Sequence, residues 1–353
     1  MRSFTEKNID RRPLRELLPL DMPLGLTVEP TNLCNFRCVQ CPVSLAEFAA
    51  EAGPLGHLDM ELYGKILEDV RRMGRLNHLQ LYGDGEPFLN PNLVEMIRRG
   101  RDAGVAGSIT VTTNGSVMNH KLATGLVTSG LDYLRVSVYS IYPERFARIT
   151  GSRLKPARIH ENLRLLRSVR DSMGSAAPFL YLKMIDTYSA ENEEFFSAFQ
   201  DVADEVNIET PMNWNGYRGI DLIGRIDPDR RTDETLVQGY HRRGRGRLPS
   251  GFKEVCTTPF LALNIKRDGV VVVCIVDWNK GTRVGDIRRQ SLSEIWLGEE
   301  LRRFREMHIR QRRHENPSCQ NCRFLYANPD NMDNFAEDAY RKILEHTREP
   351  GLP

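Results

Sequence analysis

Three cysteines close together on one predicted loop constrain this chain more than any other feature. Cys34, Cys38 and Cys41 follow one another at spacings of four and three residues, directly after an apolar run, Leu24 to Val28, that predicts a buried strand. Thiolates are the usual protein ligands of iron–sulfur clusters, and closely spaced cysteines on one loop hold a single cluster. Three thiolates leave one iron of a four-iron cluster without a protein ligand, and an open metal position is where a substrate or cosubstrate binds.

The main alternative for these three thiolates is a zinc site. Structural zinc takes four protein ligands, and no histidine or further cysteine lies near the three cysteines to complete such a set. The sequence therefore favours an iron–sulfur cluster with one open iron over a zinc knuckle.

Length and charge narrow the class of protein further. The 353 residues allow one large domain and a smaller one, and 49 basic against 47 acidic residues give a net charge of +2. That balance predicts no nucleic-acid partner and no membrane surface. Residues 1–21 lack the apolar core of a signal peptide, and the apolar run Val270 to Val276 is too short to cross a bilayer. We therefore expect a cytoplasmic protein whose cysteines bind metal rather than form disulfides.

Short apolar runs alternate with amphipathic helical patterns over residues 24–215. The predicted strands are Leu24–Val28, Leu76–Tyr82, Ser108–Thr113, Asp132–Tyr139, Phe179–Ile185 and Glu205–Glu209. Strands that alternate with helices form parallel βαβ units, and six units predict an open partial barrel of the α/β class. In parallel barrels the reactive groups gather at the C-terminal ends of the strands, which is where the cysteine loop lies.

The spacing Cys-x3-Cys-x2-Cys after a first strand resembles the radical S-adenosylmethionine (radical SAM) superfamily. The resemblance implies a partial (β/α)6 TIM-like barrel and a [4Fe-4S] cluster whose open iron chelates the amino and carboxylate groups of S-adenosylmethionine. It further implies that an electron from the cluster releases a 5′-deoxyadenosyl radical, which takes a hydrogen atom from the substrate. A flavodoxin- or ferredoxin-type reductant would supply that electron.

The segment after the second predicted strand resembles the superfamily's Gly-Gly-Glu-Pro stretch, which binds the amino group of the cofactor. Here it reads Gly83-Asp84-Gly85-Glu86-Pro87, and Asp84 stands where the family has a glycine. Glycines let the backbone approach a ligand closely and leave carbonyl oxygens free to accept hydrogen bonds from an ammonium group. The alternative is an ordinary Gly/Pro turn.

Three further residues match positions near the cofactor in the superfamily. Asn114 lies in a Thr-Asn-Gly turn after the third strand, and Ser137 lies at the end of the fourth, where the family has a serine near the ribose and carboxylate. Arg148 would meet the carboxylate, which a guanidinium binds bidentately. A solvated helix arginine is the alternative for Arg148.

The fifth and sixth strands of the predicted barrel face the substrate and end in polar residues. These residues are Lys183, Asp186, Glu209, Asn213 and Trp214. Charges inside a barrel are costly unless they are paired or used. We assign Glu209 and Lys183 as candidate catalytic residues, one serving as a base and both binding hydroxyl groups. The alternative is that Lys183 and Glu209 only neutralise each other.

Four cysteines remain near the C-terminus, two of them as a close Cys-x2-Cys pair. They are Cys256, Cys274, Cys319 and Cys322, around a predicted β-hairpin with Cys274 in its second strand and a helix from about Leu292 to Arg310. Such a set suits zinc or a four-iron cluster. The segment resembles the auxiliary-cluster extension of radical SAM enzymes in its one-cluster form, called Twitch. The two-cluster form, SPASM, requires more cysteines than the four present.

The predicted organisation has five parts: an N-terminal arm (1–23), the radical SAM barrel (24–215), a linker (216–255), a Twitch domain (256–330) and a C-terminal helix or tail (331–353). The linker contains a basic, Gly-rich stretch, Tyr240 to Arg247, that is either solvated or attracts an acidic redox partner. Two [4Fe-4S] clusters would use all seven cysteines. No thiol would then remain to quench a product radical, and the auxiliary cluster would serve as an electron relay or acceptor.

A one-cluster chain of this kind most resembles enzymes that modify sugars in antibiotic pathways. The resemblance implies a carbohydrate-type substrate, namely a sugar, an aminocyclitol or a sugar nucleoside. The reaction would be alcohol dehydrogenation, or redox-neutral diol dehydration or decarboxylation. Two alternatives stay open: an enzyme that modifies a short ribosomal peptide, and a non-catalytic or zinc-binding protein.

Overall fold

The computed structural model describes residues 12–209, 225–226, 253–322, 324–327, 330–333, 337–338 and 341–343. Several predicted features lie outside these residues: the start of the N-terminal arm, Asn213 and Trp214, nearly all of the predicted linker with its basic stretch, and most of the C-terminal tail. Within the described ranges, no helix has both the length and the apolar character needed to cross a membrane.

One sheet of nine strands runs through the described part of the chain. Its strands are β1 (Gly25–Val28), β2 (Leu76–Leu81), β3 (Ala106–Thr113), β4 (Tyr133–Val138), β5 (Phe179–Ile185), β6 (Glu205–Glu209), β7 (Ala262–Ile265), β8 (Val270–Val272) and β9 (Arg283–Asp286). The spatial order is β6-β5-β4-β3-β2-β1-β7-β8-β9. The first seven strands in this order are parallel, and β8 and β9 continue the sheet antiparallel. This confirms the predicted α/β partial barrel.

Helices lie before, between and after the strands. They are α1 (Leu14–Leu17), α2 (Phe48–Ala52), α3 (Met60–Met73), α4 (Leu93–Asp102), α5 (His120–Thr128), α6 (Pro143–Thr150), α7 (Pro156–Ser172), α8 (Glu191–Phe199), α9 (Leu292–Trp296) and α10 (Glu299–Ile309). The start of α3 shows how the sequence determines a boundary. The Asp59 side chain accepts hydrogen bonds from the backbone N–H groups of Glu61 and Leu62, so it satisfies two donors that a helix start leaves open.

The C-terminal hairpin joins the barrel sheet directly. β7 pairs in parallel with β1, with Gly25 opposite Ala262 and Val28 opposite Ile265. The predicted second strand of the hairpin was too long, because β8 ends at Val272 and Cys274 lies beyond it. The register between β8 and β9 shifts at this point, and the Cys274 N–H turns to the Thr282 hydroxyl at 3.4 Å. Cys274 is thus freed from strand pairing.

The helix predicted from about Leu292 to Arg310 is in fact two helices, α9 and α10. Gly298 separates them with extended backbone angles, φ −73° and ψ 161°. A Cβ at this position would come within 2.4 Å of the Glu294 carbonyl oxygen. A close backbone approach therefore ends α9 and starts α10 in a new direction, which helical periodicity alone does not reveal.

Candidate active site

The three-cysteine loop lies at the C-terminal end of β1 and is anchored on α6. Backbone N–H groups of Arg37 and Val39 donate to the carbonyl oxygens of Thr150 (2.9 Å) and Ile149 (2.8 Å). A tight turn brings the Cys41 N–H to 2.8 Å from the Cys38 carbonyl oxygen. All three cysteines are free thiols; Cys38 is buried, and the other two are half-buried.

Burial determines the acid–base behaviour of these thiols. It raises the pKa of Cys34 to about 11 and that of Cys41 to about 12. It also raises the pKa of Cys38 well above its usual range, and the neighbouring Cys41 and Cys34 add to the effect. Three thiolates this close are not stable as anions by themselves, whereas a bound metal deprotonates its thiol ligands outright. The donor set therefore suits a positively charged metal centre.

The Gly83–Pro87 segment packs directly on the cysteine loop. A Cβ at Gly85 would lie 2.4 Å from the Thr31 carbonyl oxygen and 2.5 Å from that of Leu33, so only glycine fits there. The Glu86 N–H donates to the Leu33 carbonyl oxygen at 2.7 Å. The two loops thus pack closely on each other, while the predicted binding of the cofactor's amino group by this segment stays a prediction.

Glu86 links the second and third strands rather than facing the cavity beside the cysteines. Its buried carboxylate accepts hydrogen bonds from the Thr113 hydroxyl (2.6 Å) and from the N–H groups of Asn114 (2.7 Å) and Phe88 (3.0 Å). Burial raises the pKa of Glu86 to about 7 despite these three donors. The Asn114 side chain in turn donates to the Asn35 side chain at 3.0 Å, so it joins the third strand to the cysteine loop.

A cavity of ≈ 250 Å³ opens beside Cys41 at the C-terminal ends of the barrel strands. Gly83, Asp84, Ser137, Lys183 and Glu209 are among its lining residues. Arg148 is not among them: it is exposed on the last turn of α6, in keeping with the alternative of a solvated arginine. Its predicted role at the cofactor stays a prediction.

An ion network forms the floor of the cavity. The Glu209 carboxylate receives Arg135 Nη2 at 2.6 Å on one oxygen and Lys183 Nζ at 2.7 Å on the other. The Tyr181 hydroxyl lies 3.4 Å from the same carboxylate. Lys183 and Glu209 are therefore paired, and both also line the cavity, so their predicted catalytic role stays a prediction. Asp186, by contrast, caps the following loop through the Tyr188 N–H and the Asn192 side-chain amide, both at 2.8 Å.

Arg135 is a site residue that sequence reasoning missed. It lies on β4 two residues before Ser137, so the two share one face of the strand. β4 pairs with β5 such that Ser137 is opposite Lys183. The signal was a charged residue between the apolar positions Leu134 and Val136 of a predicted barrel strand, because a buried charge requires a partner or a use.

The second set of cysteines converges on another cavity. Cys256, Cys274, Cys319 and Cys322 all line it, although they come from three separate segments. Arg313 holds the closing pair in place: its guanidinium donates to the carbonyl oxygens of Cys319 (2.8 Å) and Cys322 (3.0 Å). Burial raises the pKa of all four thiols, that of Cys322 to about 11.

His308 also lines this second cavity and was not anticipated. Burial lowers its pKa to about 3, with a further contribution from Arg313, so the imidazole is neutral. Its Nδ1 accepts the Cys256 N–H at 3.5 Å, which leaves the other ring nitrogen as the N–H. Within the described residues, no group of three His, Cys, Asp or Glu side chains is arranged to hold a single metal ion. The four thiols do share one cavity, and this arrangement fits a cluster of several metal ions.

The fold is a parallel α/β partial barrel with two cysteine sites. Three cysteines lie on the loop after β1, and four cysteines of the C-terminal region line a second cavity. Residues 28–179 match the model of the Radical SAM superfamily, and residues 256–323 match SPASM, an iron-sulfur cluster-binding domain. The chain therefore carries a radical SAM domain followed by a C-terminal iron-sulfur cluster-binding domain of the SPASM type.

Two relatives differ in how much of their length this chain spans. A tungsten-containing aldehyde ferredoxin oxidoreductase cofactor-modifying protein of Pyrococcus furiosus is 24% identical over 321 residues, which are 84% of this chain and 86% of the relative. A GTP 3',8-cyclase of Rhizobium meliloti is 30% identical over 250 residues. That match covers 66% of this chain and 64% of the cyclase, so it spans just under two thirds of that enzyme.

Solved structures share the fold. BtrN in complex with AdoMet and 2-DOIA superposes with a TM-score of 0.53 at 17% identity, covering 86% of this chain and 93% of BtrN. Streptococcus suis SuiB bound to S-adenosylmethionine gives a TM-score of 0.60 at 15% identity, covering 89% and 73% respectively. At such identities the likeness concerns the fold alone.

Proposed function

We propose that this enzyme abstracts a hydrogen atom from a hydroxyl-bearing carbon of a small carbohydrate-type substrate. The substrate class is a sugar, an aminocyclitol or a sugar nucleoside of antibiotic biosynthesis. The outcome would be alcohol dehydrogenation, or redox-neutral dehydration or decarboxylation. In this proposal a flavodoxin- or ferredoxin-type protein supplies the electron, and the enzyme acts in the cytoplasm.

The observation that carries the proposal is the ion network facing the cavity. Glu209 offers acceptor oxygens, while Arg135 and Lys183 offer N–H donors, and Ser137 adds a hydroxyl on the same wall. Adjacent hydroxyl groups of a polyol both donate and accept, so a wall of mixed charge recognises them better than an apolar pocket would. The cavity volume of ≈ 250 Å³ also suits a small molecule.

The residues that would hold the cofactors are those already described. Cys34, Cys38 and Cys41 would bind one [4Fe-4S] cluster, and the four C-terminal cysteines would bind the other. When bound, the first cluster and S-adenosylmethionine would supply the radical that removes the hydrogen atom. The Gly83–Glu86 loop would orient S-adenosylmethionine, and Glu209 or Lys183 would accept the hydroxyl proton at a carboxylate oxygen or at Nζ. Glu209 could accept this proton as an ionised carboxylate, whereas Lys183, which donates to Glu209 at 2.7 Å as an ammonium group, would first have to lose a proton of its own.

A nucleotide substrate is the second candidate. The 30% identity to a GTP 3',8-cyclase favours it, and Arg135 and Lys183 would suit a phosphate or a carboxylate. Modification of a short ribosomal peptide is the third, since SuiB, crystallised with its precursor peptide SuiA, shares this fold with a TM-score of 0.59. Both candidates keep the same cofactors and differ in what fills the cavity.

Iron and product analysis tests the class of chemistry. We expect about eight irons in protein reconstituted without oxygen, and about four after Cys34, Cys38 and Cys41 are all changed to Ala. Only the unchanged protein should form 5′-deoxyadenosine from S-adenosylmethionine under reduction. A preparation that holds zinc, or whose iron content the triple change does not alter, would refute the assignment.

Substitution at the cavity floor tests the substrate chemistry. Glu209→Gln or Lys183→Met should abolish product while cofactor cleavage continues, because both residues lie on β5 and β6, whereas the thiols that would hold the cluster lie on the loop after β1. Glu205→Gln is the matched control: it is the same change on the same strand, outside the cavity lining. Full turnover in both floor variants would exclude these residues as the base. Aminosugars, sugar nucleosides, GTP and peptides would be supplied in parallel as substrates.

A further inference from the structure

A buried lysine from the C-terminal hairpin reaches the predicted cofactor loop. Lys266 lies in the turn between β7 and β8 and is 3% exposed. Its Nζ lies 2.7 Å from Asp84 Oδ2 and 3.9 Å from Glu29 Oε1. Asp84 is the residue at which this chain departs from the family's glycine-rich stretch. The carboxylate that Asp84 introduces is thus paired with a lysine 182 positions further along the chain.

Glu29 completes the arrangement from the end of β1. One of its carboxylate oxygens accepts the Asp84 N–H at 2.9 Å, and the other accepts the Arg267 N–H at 3.0 Å. Gly83 packs over the same side chain, since a Cβ there would lie 2.5 Å from Glu29 Cγ. One carboxylate therefore joins the cofactor loop to the hairpin, and the Lys266–Asp84 ion pair joins them a second time.

The electrostatics favour a fixed geometry. Burial lowers the pKa of the Lys266 ammonium, but the carboxylates of Asp84 and Glu29 outweigh it, so the pKa lies above its usual value. A buried charge without its partner is strongly unfavourable, so Asp84 and Lys266 hold each other in place. Lys266 is not among the residues that line the cavity, whereas Gly83 and Asp84 are.

We infer that Asp84 and Lys266 are positioning residues for S-adenosylmethionine. Their ion pair holds the Gly83–Gly85 backbone in the shape that receives the cofactor's amino group, so that cofactor binding depends on the C-terminal hairpin. The inference rests on the proposed cofactor role of this loop. It gives the hairpin a second role, independent of the four C-terminal thiols.

The test compares Lys266→Met with a matched control, Lys280→Met. Lys280 pairs with Asp268 on the same hairpin and does not line the cavity. Binding of S-adenosylmethionine to anaerobically reconstituted protein is measured by equilibrium dialysis, alongside iron content and the thermal unfolding midpoint. We expect Lys266→Met to bind about tenfold more weakly with its iron content unchanged, as the loss of one charged hydrogen bond implies, and Lys280→Met to bind normally.

The double variant Asp84→Asn/Lys266→Met separates positioning from stability. Removal of both charges should restore the unfolding midpoint that the single change lowers, while binding stays about tenfold weaker. If Lys266→Met alone does not fold, the double variant can be measured in its place. Unchanged affinity in the double variant, or an equal loss in Lys280→Met, would overturn the inference while leaving the proposed function intact. If the unchanged protein shows no saturable binding of S-adenosylmethionine, both the proposed function and the inference are refuted.

Discussion

Glu86 should make the stability of this enzyme fall as the pH rises toward neutrality. Its carboxylate is 2% exposed, and burial raises its pKa from the ordinary 4.5 to about 7. Between these two values the folded protein holds a proton that the unfolded chain has released. Protonation of Glu86 therefore stabilises the folded state at low pH, and this contribution is lost as the pH passes 7.

The size of the effect follows from the same two values. The full contribution is about 3 kcal/mol, since one pKa unit corresponds to about 1.4 kcal/mol. Between about pH 5.5 and about pH 8 the loss is about 2 kcal/mol, because the unfolded chain has already released most of this proton at the lower pH and part of the contribution is lost below this window. Glu86→Gln has no proton to lose, so its stability should lack this component.

The assay is guanidinium unfolding of both proteins, under identical anaerobic conditions, at several pH values across that window. The free energy of unfolding of the unchanged protein minus that of Glu86→Gln cancels titrations that the two proteins share. We expect the difference to fall by about 2 kcal/mol from the acidic to the alkaline end. A difference that stays constant, or that grows with pH, would refute the account of Glu86 as a buried carboxyl with a raised pKa.

Three further substitutions test the packing around the site. Gly85→Ala should prevent the cysteine loop from holding its cluster, because the new Cβ would lie 2.4 Å from the Thr31 carbonyl oxygen. Iron analysis should then find about four irons instead of about eight, and a full iron content would contradict this prediction. Gly64→Ala, on α3 with nothing within 4 Å, is its control and should raise the unfolding free energy by up to about 1 kcal/mol. Arg170→Met should lower the unfolding free energy by about 3 kcal/mol, since it removes the buried partner of Asp204. A loss well below this would show that the Leu180 N–H, Arg167 or solvent is enough to satisfy Asp204.

Local sequence signals predicted most of the barrel correctly. Phe179–Ile185 and Glu205–Glu209 are strands with the predicted bounds, since alternation of apolar residues and flanking turns determine them locally. The errors lie in the C-terminal region, where Cys274 leaves its strand and Gly298 divides a helix. Cys274 turns to the Thr282 hydroxyl, and Gly298 lies too close to the Glu294 carbonyl oxygen for any other residue, so the periodicity of apolar residues reveals neither break.

The sequence by itself determined the chemistry available to this protein: three thiols at one strand end, four more near the C-terminus, and a glycine-rich loop between them. Local spacing is enough for the three thiols after β1, because ligands on one loop are close in space whatever the rest of the chain does, whereas the fold must bring the four C-terminal thiols together from three segments. Only the tertiary structure decided which distant charges meet. The Arg135–Glu209 and Asp84–Lys266 pairs join residues 74 and 182 positions apart. They form because parallel pairing of β4, β5 and β6, and of β1 with β7, brings those strand ends to the same edge of one sheet.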